Sequence, residues 1–234
     1  MISTDVVFGL LNSRTDLGLT FTHFYQGAPE THTEYVEVPG RTPVDLSELI
    51  VGEPWYNNRE MTIEFEYLAP DWEAEKTLAF ASLHGKKMNI RFMADSAWFY
   101  TGRCAVEFEV NASTLHVIVT VAAEPFKHVY GEVPTTLSSP GNVTNPTQFS
   151  SLPLIRVNGS GAGTVTVGNQ VITLLDIDGY VDIDSELMDC YKGLVNCNGD
   201  VELDEFPKLA PGSTGITWTG GVTSVEVEGR WRTL

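Results

Sequence analysis

The sequence predicts a mainly β protein built from two domains, and three observations support this prediction. Apolar and polar residues alternate with a period of two over many short stretches, as they do in half-buried strands. One stretch, residues 70–87, instead has the composition of a helix. A segment rich in proline, serine and threonine, residues 131–152, shows no periodicity and separates the two halves of the chain.

Composition and charge restrict the functional class. The 234 residues are 42% hydrophobic, and 31 acidic residues against 14 basic ones give a formal net charge of −17. Because so negative a surface repels phosphate backbones, it disfavours nucleic-acid binding, although it is compatible with a channel through which DNA passes without sticking. The three cysteines form no C-x-x-C pair, so we expect a reducing compartment and no disulfide framework. The sequence shows no signal-peptide pattern and no apolar run of membrane-spanning length.

The clearest strands are "MTIEFEYL" (residues 61–68) and "TLHVIVTVAAE" (residues 114–124). In both, every second residue is apolar and most of the residues between are polar, which predicts one buried and one solvent-facing side. A slip of one residue would bury glutamates, so the pairing register should be well specified.

The helical segment is predicted to run for about four turns. Asp71 marks its start, because aspartate is a favoured N-terminal residue, and Gly85 follows its end. Leu83 is predicted to face the core, together with Trp72 and either Leu78 or Ala79.

The stretch from Asp176 to Phe206 holds ten carboxylates and resembles a cation site at first sight. Its spacing does not match a calcium-binding EF-hand loop, in which glycine follows at position 6 and glutamate at position 12. Asp182 and Asp184 alternate with apolar residues and are predicted to lie on the solvent-facing side of a strand. An irregular calcium loop is the alternative interpretation.

The remaining sequence motifs do not indicate a phosphate-binding, zinc-binding or catalytic site. The glycines at 159–163 are followed by a strand pattern, so we interpret them as a β-turn, not a phosphate-binding loop. The five histidines match no zinc motif, and there is no nucleophile elbow. We therefore predict no catalytic residue, no metal and no cofactor. Two alternatives remain: a carbohydrate-binding β-sandwich module that stacks sugars on Tyr180, Trp218 or Trp231, and a hydrolase that uses acids of residues 176–204.

Two blocks of the sequence carry a family resemblance. The first, "VEVPGRTPVDLSELIVGEPWYNNREMTIEFEYL" (residues 36–68) with the later "AAEPFKH" (residues 122–128), resembles the ring-forming domain of siphophage distal tail (Dit) proteins. The matching residues are Pro39, Gly40, Arg41, Asp45, Leu46, Asn58 and Arg59.

The second block begins at "PLIRVNGSGAGTVTVGNQVITL" (residues 153–174) and is similar to the galectin-like C-terminal domain of the same family. It continues through "YVDIDSELMDCYKG" (residues 180–193) to the C-terminal "FPKLAPGSTGITWTGGVTSVEVEGRWRTL" (residues 206–234). The matching residues are Asp184, Pro207, Pro211, Gly212, Arg230, Trp231 and Arg232.

The resemblance implies a division into three parts. Residues 1–133 are expected to form a β-sandwich or split-barrel-like ring domain with one helix, residues 134–151 a linker, and residues 152–234 a galectin-like β-sandwich. It further implies a structural virion protein without enzymatic activity, located at the virion tail tip after assembly in the cytoplasm of the host bacterium.

The partners implied are those of a distal tail adaptor. Six copies would form a ring, alone or stacked with a second ring, and would join the tail tube protein to the tail-tip hub protein and to receptor-binding proteins. DNA would pass through the lumen without specific binding, and no membrane contact is expected.

Overall fold

The computed structural model describes residues 5–47, 54–68, 72–111 and 114–234. The chain divides into two compact units, Met1–Lys127 together with Leu234, and His128–Thr233. The mainly β class with one α-helix is confirmed, and the strand pairs whose register is defined are antiparallel. Within the described ranges, no helix is long and apolar enough to cross a bilayer.

The N-terminal unit is built on one antiparallel sheet with the strand order β2-β1-β7-β8-β9-β6-β3. A two-stranded sheet, β4-β5, is separate from it. The elements are β1 (Val6–Phe8), β2 (Leu11–Asn12), β3 (Thr20–Gln26), β4 (Tyr35–Val36), β5 (Val44–Asp45), β6 (Arg59–Leu68), α1 (Glu73–Leu83), β7 (Lys87–Phe92), β8 (Trp98–Asn111) and β9 (Thr114–Val129).

The sheet of the N-terminal unit curls until its two ends face each other. The ring of Phe24 in β3, an edge strand, lies 4.3 Å from that of Phe92 in β7, near the other end of the strand order. Phe8 and Phe65, from β1 and β6, likewise approach to 6.0 Å. Contacts between strands so far apart in the sheet require strong curvature, which agrees with a split-barrel-like domain.

The predicted amphipathic strands and helix are found with small differences. β6 and β9 pair over ten residues, and their alternate apolar side chains are fully buried except Tyr67, which is partly buried. α1 has 11 residues, about three turns instead of four, and buries Ala79 and Leu83. Of the two alternatives at the middle of the helix, Leu78 is therefore the exposed one. The expected start at Asp71 lies outside the described residues, and Gly85 follows the helix with a φ of +74°.

The C-terminal unit is a second antiparallel sheet, in which the strand order is β10-β17-β12-β13-β14-β15. Two further strands complete it, β11 against β17 and β16 against β13. Its strands are β10 (Thr135–Leu137), β11 (Gly141–Asn145), β12 (Leu154–Val167), β13 (Gln170–Asp184), β14 (Asp189–Lys192), β15 (Val195–Asn196), β16 (Val201–Leu203) and β17 (Gly212–Glu228). The last strand, β18 (Arg232–Thr233), pairs with β9 instead.

Three long strands, β12, β13 and β17, build both layers of a sandwich. One half of β13 pairs with β14 and the other half with β16, while β17 pairs with β10 through one half and with β11 through the other. Glycines allow β12 and β17 to approach closely where their ladder is irregular: a Cβ on Gly221 would lie 1.9 Å from the carbonyl oxygen of Ser160. The glycines at 159–163 are thus inside β12 at an irregularity of the ladder, and their interpretation as a turn between strands is wrong.

The segment predicted to be a linker, residues 134–151, is part of the C-terminal sandwich. It contains β10 and β11, both paired with β17. Val143 belongs to the core, and the buried Asn145 donates hydrogen bonds from Nδ2 to the carbonyl oxygens of Phe149 and Leu209, both at 2.9 Å. The division between the compact units falls at Lys127 and His128, before the predicted boundary at residue 133. Composition alone could not show that this segment forms strands, because β17, with which β10 and β11 pair, lies about 80 residues further along the chain.

Candidate functional site

A hairpin outside the main sheet is the strongest candidate for a functional surface. Its turn carries the motif Pro39, Gly40 and Arg41, and its strands are β4 and β5. Gly40 has a φ of +76°, which favours glycine, and the N–H of Arg41 donates to the carbonyl oxygen of Val38 at 3.0 Å. Among the described strands, β4 and β5 pair with each other alone.

We call residues 30–47 and 54–57 the arm. Backbone bonds join its two parts: the N–H of His32 donates to the carbonyl oxygen of Trp55 at 2.9 Å. The rings of the same two residues lie 3.9 Å apart. The arm is therefore an ordered structure, although it lies outside the main sheet.

The arm exposes five large apolar side chains. They are Tyr35 (59% exposed), Val44 (45%), Trp55 (43%), Val36 (42%) and Val38 (37%). Val36 and Val44 lie directly opposite each other and therefore share one face of the hairpin. Grouped exposed apolar residues commonly mark a protein-binding surface. The alternate valines beside the V-P-G-R turn are the sequence signal from which this surface could have been predicted.

Asn58 and Arg59 follow the arm directly. Asn58 is exposed, whereas Arg59 is buried at the start of β6 and donates from Nη2 to the carbonyl oxygen of Pro125. The guanidinium carbon of Arg59 lies 5.8 Å from the centre of the Tyr100 ring. Burial lowers the pKa of Arg59, an effect that Tyr100 partly opposes. These contacts give Arg59 a structural role: it ties the start of β6 to β8 and β9 within the N-terminal unit.

The acidic stretch of the C-terminal unit contains two buried carboxylates, Asp182 and Asp184. The prediction that both face solvent is wrong, since they are 3% and 1% exposed. Asp182 is held by a bidentate ion pair with Arg156, in which Nε lies 2.7 Å from Oδ1 and Nη2 2.9 Å from Oδ2. Hydrogen bonding to Asp182 raises the pKa of Arg156. The end of β13 is covered on both faces, so strict alternation does not apply there.

Asp184 is the centre of a second ion-pair network. Both nitrogens of the Arg230 fork donate to it, Nη1 to Oδ1 at 2.7 Å and Nη2 to Oδ2 at 2.9 Å. It also accepts the backbone N–H groups of Glu186 and Leu187, each at 3.0 Å, and the hydroxyl of Tyr191 at 3.3 Å. Burial alone would raise the pKa of Asp184, but the bonds from Arg230 and the backbone outweigh it and lower that pKa.

The C-terminal motif that contains Arg230, Trp231 and Arg232 closes this network. Arg230 has a φ of +52°, and a Cβ on Gly229 would lie 2.2 Å from the indole of Trp231. The carboxylate of Glu132 accepts the backbone N–H groups of Gly229 at 2.6 Å and Trp231 at 3.2 Å, and burial raises its pKa. Arg232 donates from Nε to the carbonyl oxygen of Ser150 at 2.7 Å. The motif therefore holds the C-terminal unit together.

The proline motif is also structural. Pro207 is buried and Pro211 is exposed, while Gly212 begins β17 with a φ of +89°. Between them, Leu209 exchanges two backbone hydrogen bonds with Ser151, at 3.0 and 3.1 Å. These bonds fasten the segment before β17 to the segment before β12.

The candidate sugar-stacking aromatics are engaged by other groups of the chain. The guanidinium of Arg156 lies 4.4 Å from the centre of the Tyr180 ring, and Lys192 Nζ lies 5.7 Å from it. Trp218 and Trp231 are partly buried and pack against the core of the C-terminal unit. This arrangement does not favour sugar stacking on these residues.

A small cleft lies beside Asp182, with a volume of about 180 Å³. Glu226 and Glu228 line it as well. It is smaller than typical small-molecule sites, and its buried carboxylate is already paired with Arg156. Within the described ranges, no group of three or more His, Cys, Asp or Glu side chains is arranged to hold a metal ion.

Comparison with known proteins gives an informative structural likeness. No family model matches the chain, and no curated protein matches its sequence. The structure is similar to the crystal structure of the Dit protein (gp 19.1) of SPP1, described as a paradigm of the hub adsorption apparatus in phages infecting Gram-positive bacteria. The TM-score is 0.71 at 12% sequence identity, over 98% of this chain and 99% of that chain. The resemblance read from the sequence is thus confirmed at the level of the fold.

Proposed function

We propose that this protein is a structural component of a phage tail, a distal tail adaptor at the tail tip. The observation that carries the proposal is the likeness to SPP1 Dit over nearly the full length of both chains. A match confined to one unit would support a shared domain only, whereas this one includes both units in the same order.

The adaptor role requires self-assembly, and we place the contact between copies on the arm. A hexameric ring, single or stacked with a second ring, would bury exposed apolar side chains of the arm: Tyr35, Val36, Val38, Val44 and Trp55. Among the described strands, β4 and β5 pair only with each other, so a strand of a neighbouring chain would be able to add to the outer edge of this hairpin. In this assignment, the C-terminal sandwich is not needed for ring formation.

The remaining partners follow from the position of the ring. One face would bind the tail tube protein, and the other the tail-tip hub protein and receptor-binding proteins. The net charge of −17 suits a lumen through which DNA passes without being retained. The protein would assemble in the cytoplasm of the host bacterium and end at the tip of the virion tail, without a catalytic role.

The ring is tested by the mass of the purified full-length protein in solution. Size exclusion with light scattering should give six times the chain mass of 25.7 kDa, or twelve times for stacked rings. Val36→Lys should shift the population to smaller species, because it places a charge on the apolar face that a neighbour would cover. Val171→Lys is the matched control, since Val171 is 55% exposed in the C-terminal unit and should leave the mass unchanged.

Two results would contradict this proposal. A monomer at high concentration contradicts the ring itself. A ring that survives Val36→Lys but is lost in Val171→Lys would reverse the roles assigned to the two units.

A further inference from the structure

We propose that Cys190 and Cys197 form a covalent modification site, at which a small-molecule disulfide such as oxidised glutathione converts the two thiols into an intramolecular disulfide. This inference is independent of the proposed tail function. Both residues carry free thiols in this structure.

The two cysteines face each other across the hairpin of β14 and β15. Tyr191 is paired with Asn196 and Lys192 with Val195, so one further step along the ladder places Cys190 opposite Cys197. A backbone bond confirms this register, since the N–H of Cys197 donates to the carbonyl oxygen of Cys190 at 2.8 Å.

Their spacing is suitable for a disulfide. Residues opposite each other in an antiparallel pair point to the same face, and Cα atoms of hydrogen-bonded partners lie about 5.5 Å apart. Disulfides span Cα separations of about 4.4–6.8 Å. Both side chains belong to the core of the C-terminal unit, so they share its inner face. Forming the bond would require the Cys197 thiol to leave the carbonyl oxygen of Val195, which now lies 3.7 Å from its Sγ.

A side-chain clamp holds the open end of the hairpin closed. Asn198 donates from Nδ2 to Asp189 Oδ1 at 2.7 Å, and its own Oδ1 accepts the N–H of Cys190 at 2.8 Å. The two strands therefore cannot separate at the cysteines without breaking three hydrogen bonds, counting the backbone bond between the cysteines. The pair is preorganised for bond formation within the folded protein.

The chemistry is two successive thiol–disulfide exchanges. Cys197 is the more exposed thiol, at 8% against 1% for Cys190, so it attacks first; it forms a mixed disulfide and releases one small thiol. Cys190 then loses its proton, attacks the Cys197 sulfur and displaces the second small thiol. Two protein thiols and one small disulfide become one protein disulfide and two small thiols.

The second exchange should be the slower one. Burial, together with the nearby Asp189 and Cys197, raises the pKa of Cys190 to about 12. The thiolate is the attacking species, so closure should accelerate as the pH rises.

The test exploits a lysine between the two cysteines. The full-length protein is incubated with oxidised glutathione, quenched with acid, alkylated and cut with trypsin. Cleavage after Lys192 places Cys190 and Cys197 on separate peptides, which only a disulfide can join. We expect mass spectrometry to find the joined peptides, with two of the three thiols lost and Cys104 still alkylated.

Two variants test the order of the steps. Cys190→Ser should stop at a glutathione adduct on Cys197, and Cys197→Ser should leave Cys190 unmodified under the same conditions. The proposal is overturned if wild-type protein keeps all three thiols, or if it accumulates an adduct on Cys197 while Cys190 stays reduced. Joining of either peptide to that of Cys104, which lies in the core of the N-terminal unit, would also overturn it.

Discussion

Replacing Asp184 by asparagine preserves the shape of the side chain and removes its charge from the centre of the second ion-pair network. The substitution leaves the Arg230 guanidinium, whose side chain is 20% exposed, without its main partner. Breaking a buried ion pair typically costs about 3–5 kcal/mol. Arg230 would keep Glu186 at 3.0 Å, so we expect a loss at the lower end, about 3 kcal/mol in the free energy of unfolding.

Asp178→Asn is a matched control for this experiment. Asp178 lies in the same strand, β13, and also pairs with a cation, Lys192 at 3.0 Å, but its side chain is 97% exposed. Solvent-exposed pairs contribute little to stability, so the control should unfold like the wild type.

Urea unfolding of the full-length protein, followed by circular dichroism, measures the effect. Because the two units need not unfold together, hydrogen exchange should be read on peptides of β12 and β13 to assign the loss to the C-terminal unit. Equal stability of Asp184→Asn and Asp178→Asn would refute the reasoning, since it would mean that the buried pair adds nothing measurable.

The same network predicts sensitivity to acid. The pKa of Asp184 is lower in the folded protein than in the unfolded chain, where aspartate titrates near pH 3.9. The contribution of Asp184 to stability is therefore complete above that pH and is lost as the pH falls through the lower folded value. Asp184→Asn should abolish this part of the acid dependence, whereas Asp178→Asn should retain it.

The remaining predictions concern packing, backbone spacing and the acidic stretch. Leu83→Ala should cost about 2–5 kcal/mol in chemical denaturation because the side chain is fully buried, whereas Leu78→Ala, on the exposed side of α1, should be nearly neutral; equal costs would contradict the observed helix orientation. Gly221→Ala should destabilise the sandwich by at least about 1–3 kcal/mol because the new methyl would lie 1.9 Å from a carbonyl oxygen of β12, while Gly199→Ala meets no atom within 4 Å and should melt at the wild-type temperature. Millimolar calcium or a chelator should leave the melting temperature nearly unchanged, and a rise of several degrees would reveal a cation site in residues 176–206.

Local patterns were sufficient to predict two central strands of the N-terminal sheet, β6 and β9, and its helix. β6 and β9 alternate strictly, because one face packs on the core and the other meets solvent. Leu83 could be assigned to the core from helical spacing, and the composition between Asp71 and Gly85 indicated the extent of the helix within about one turn. These features depend on residues that are close together in sequence.

Features that depend on distant partners could not be read in this way. Asp182 and Asp184 alternate with apolar residues, as solvent-facing residues do. The residue that neutralises Asp184 is Arg230, which lies 46 residues away and has a positive φ that the sequence does not indicate. The composition of residues 134–151 indicates a linker, but their strands are defined by β17.

The continuity of β12, β13 and β17 through both layers of the C-terminal sandwich has a mechanical consequence. In a sandwich joined only by loops, a pulling force can slide one layer over the other with few hydrogen bonds broken. Here the layers share three uninterrupted strands, so sliding would require shearing the long ladders of β12 with β13 and β17 at the same time. When the C-terminal unit is stretched along these strands, it should therefore resist a high force and then unfold in a single step.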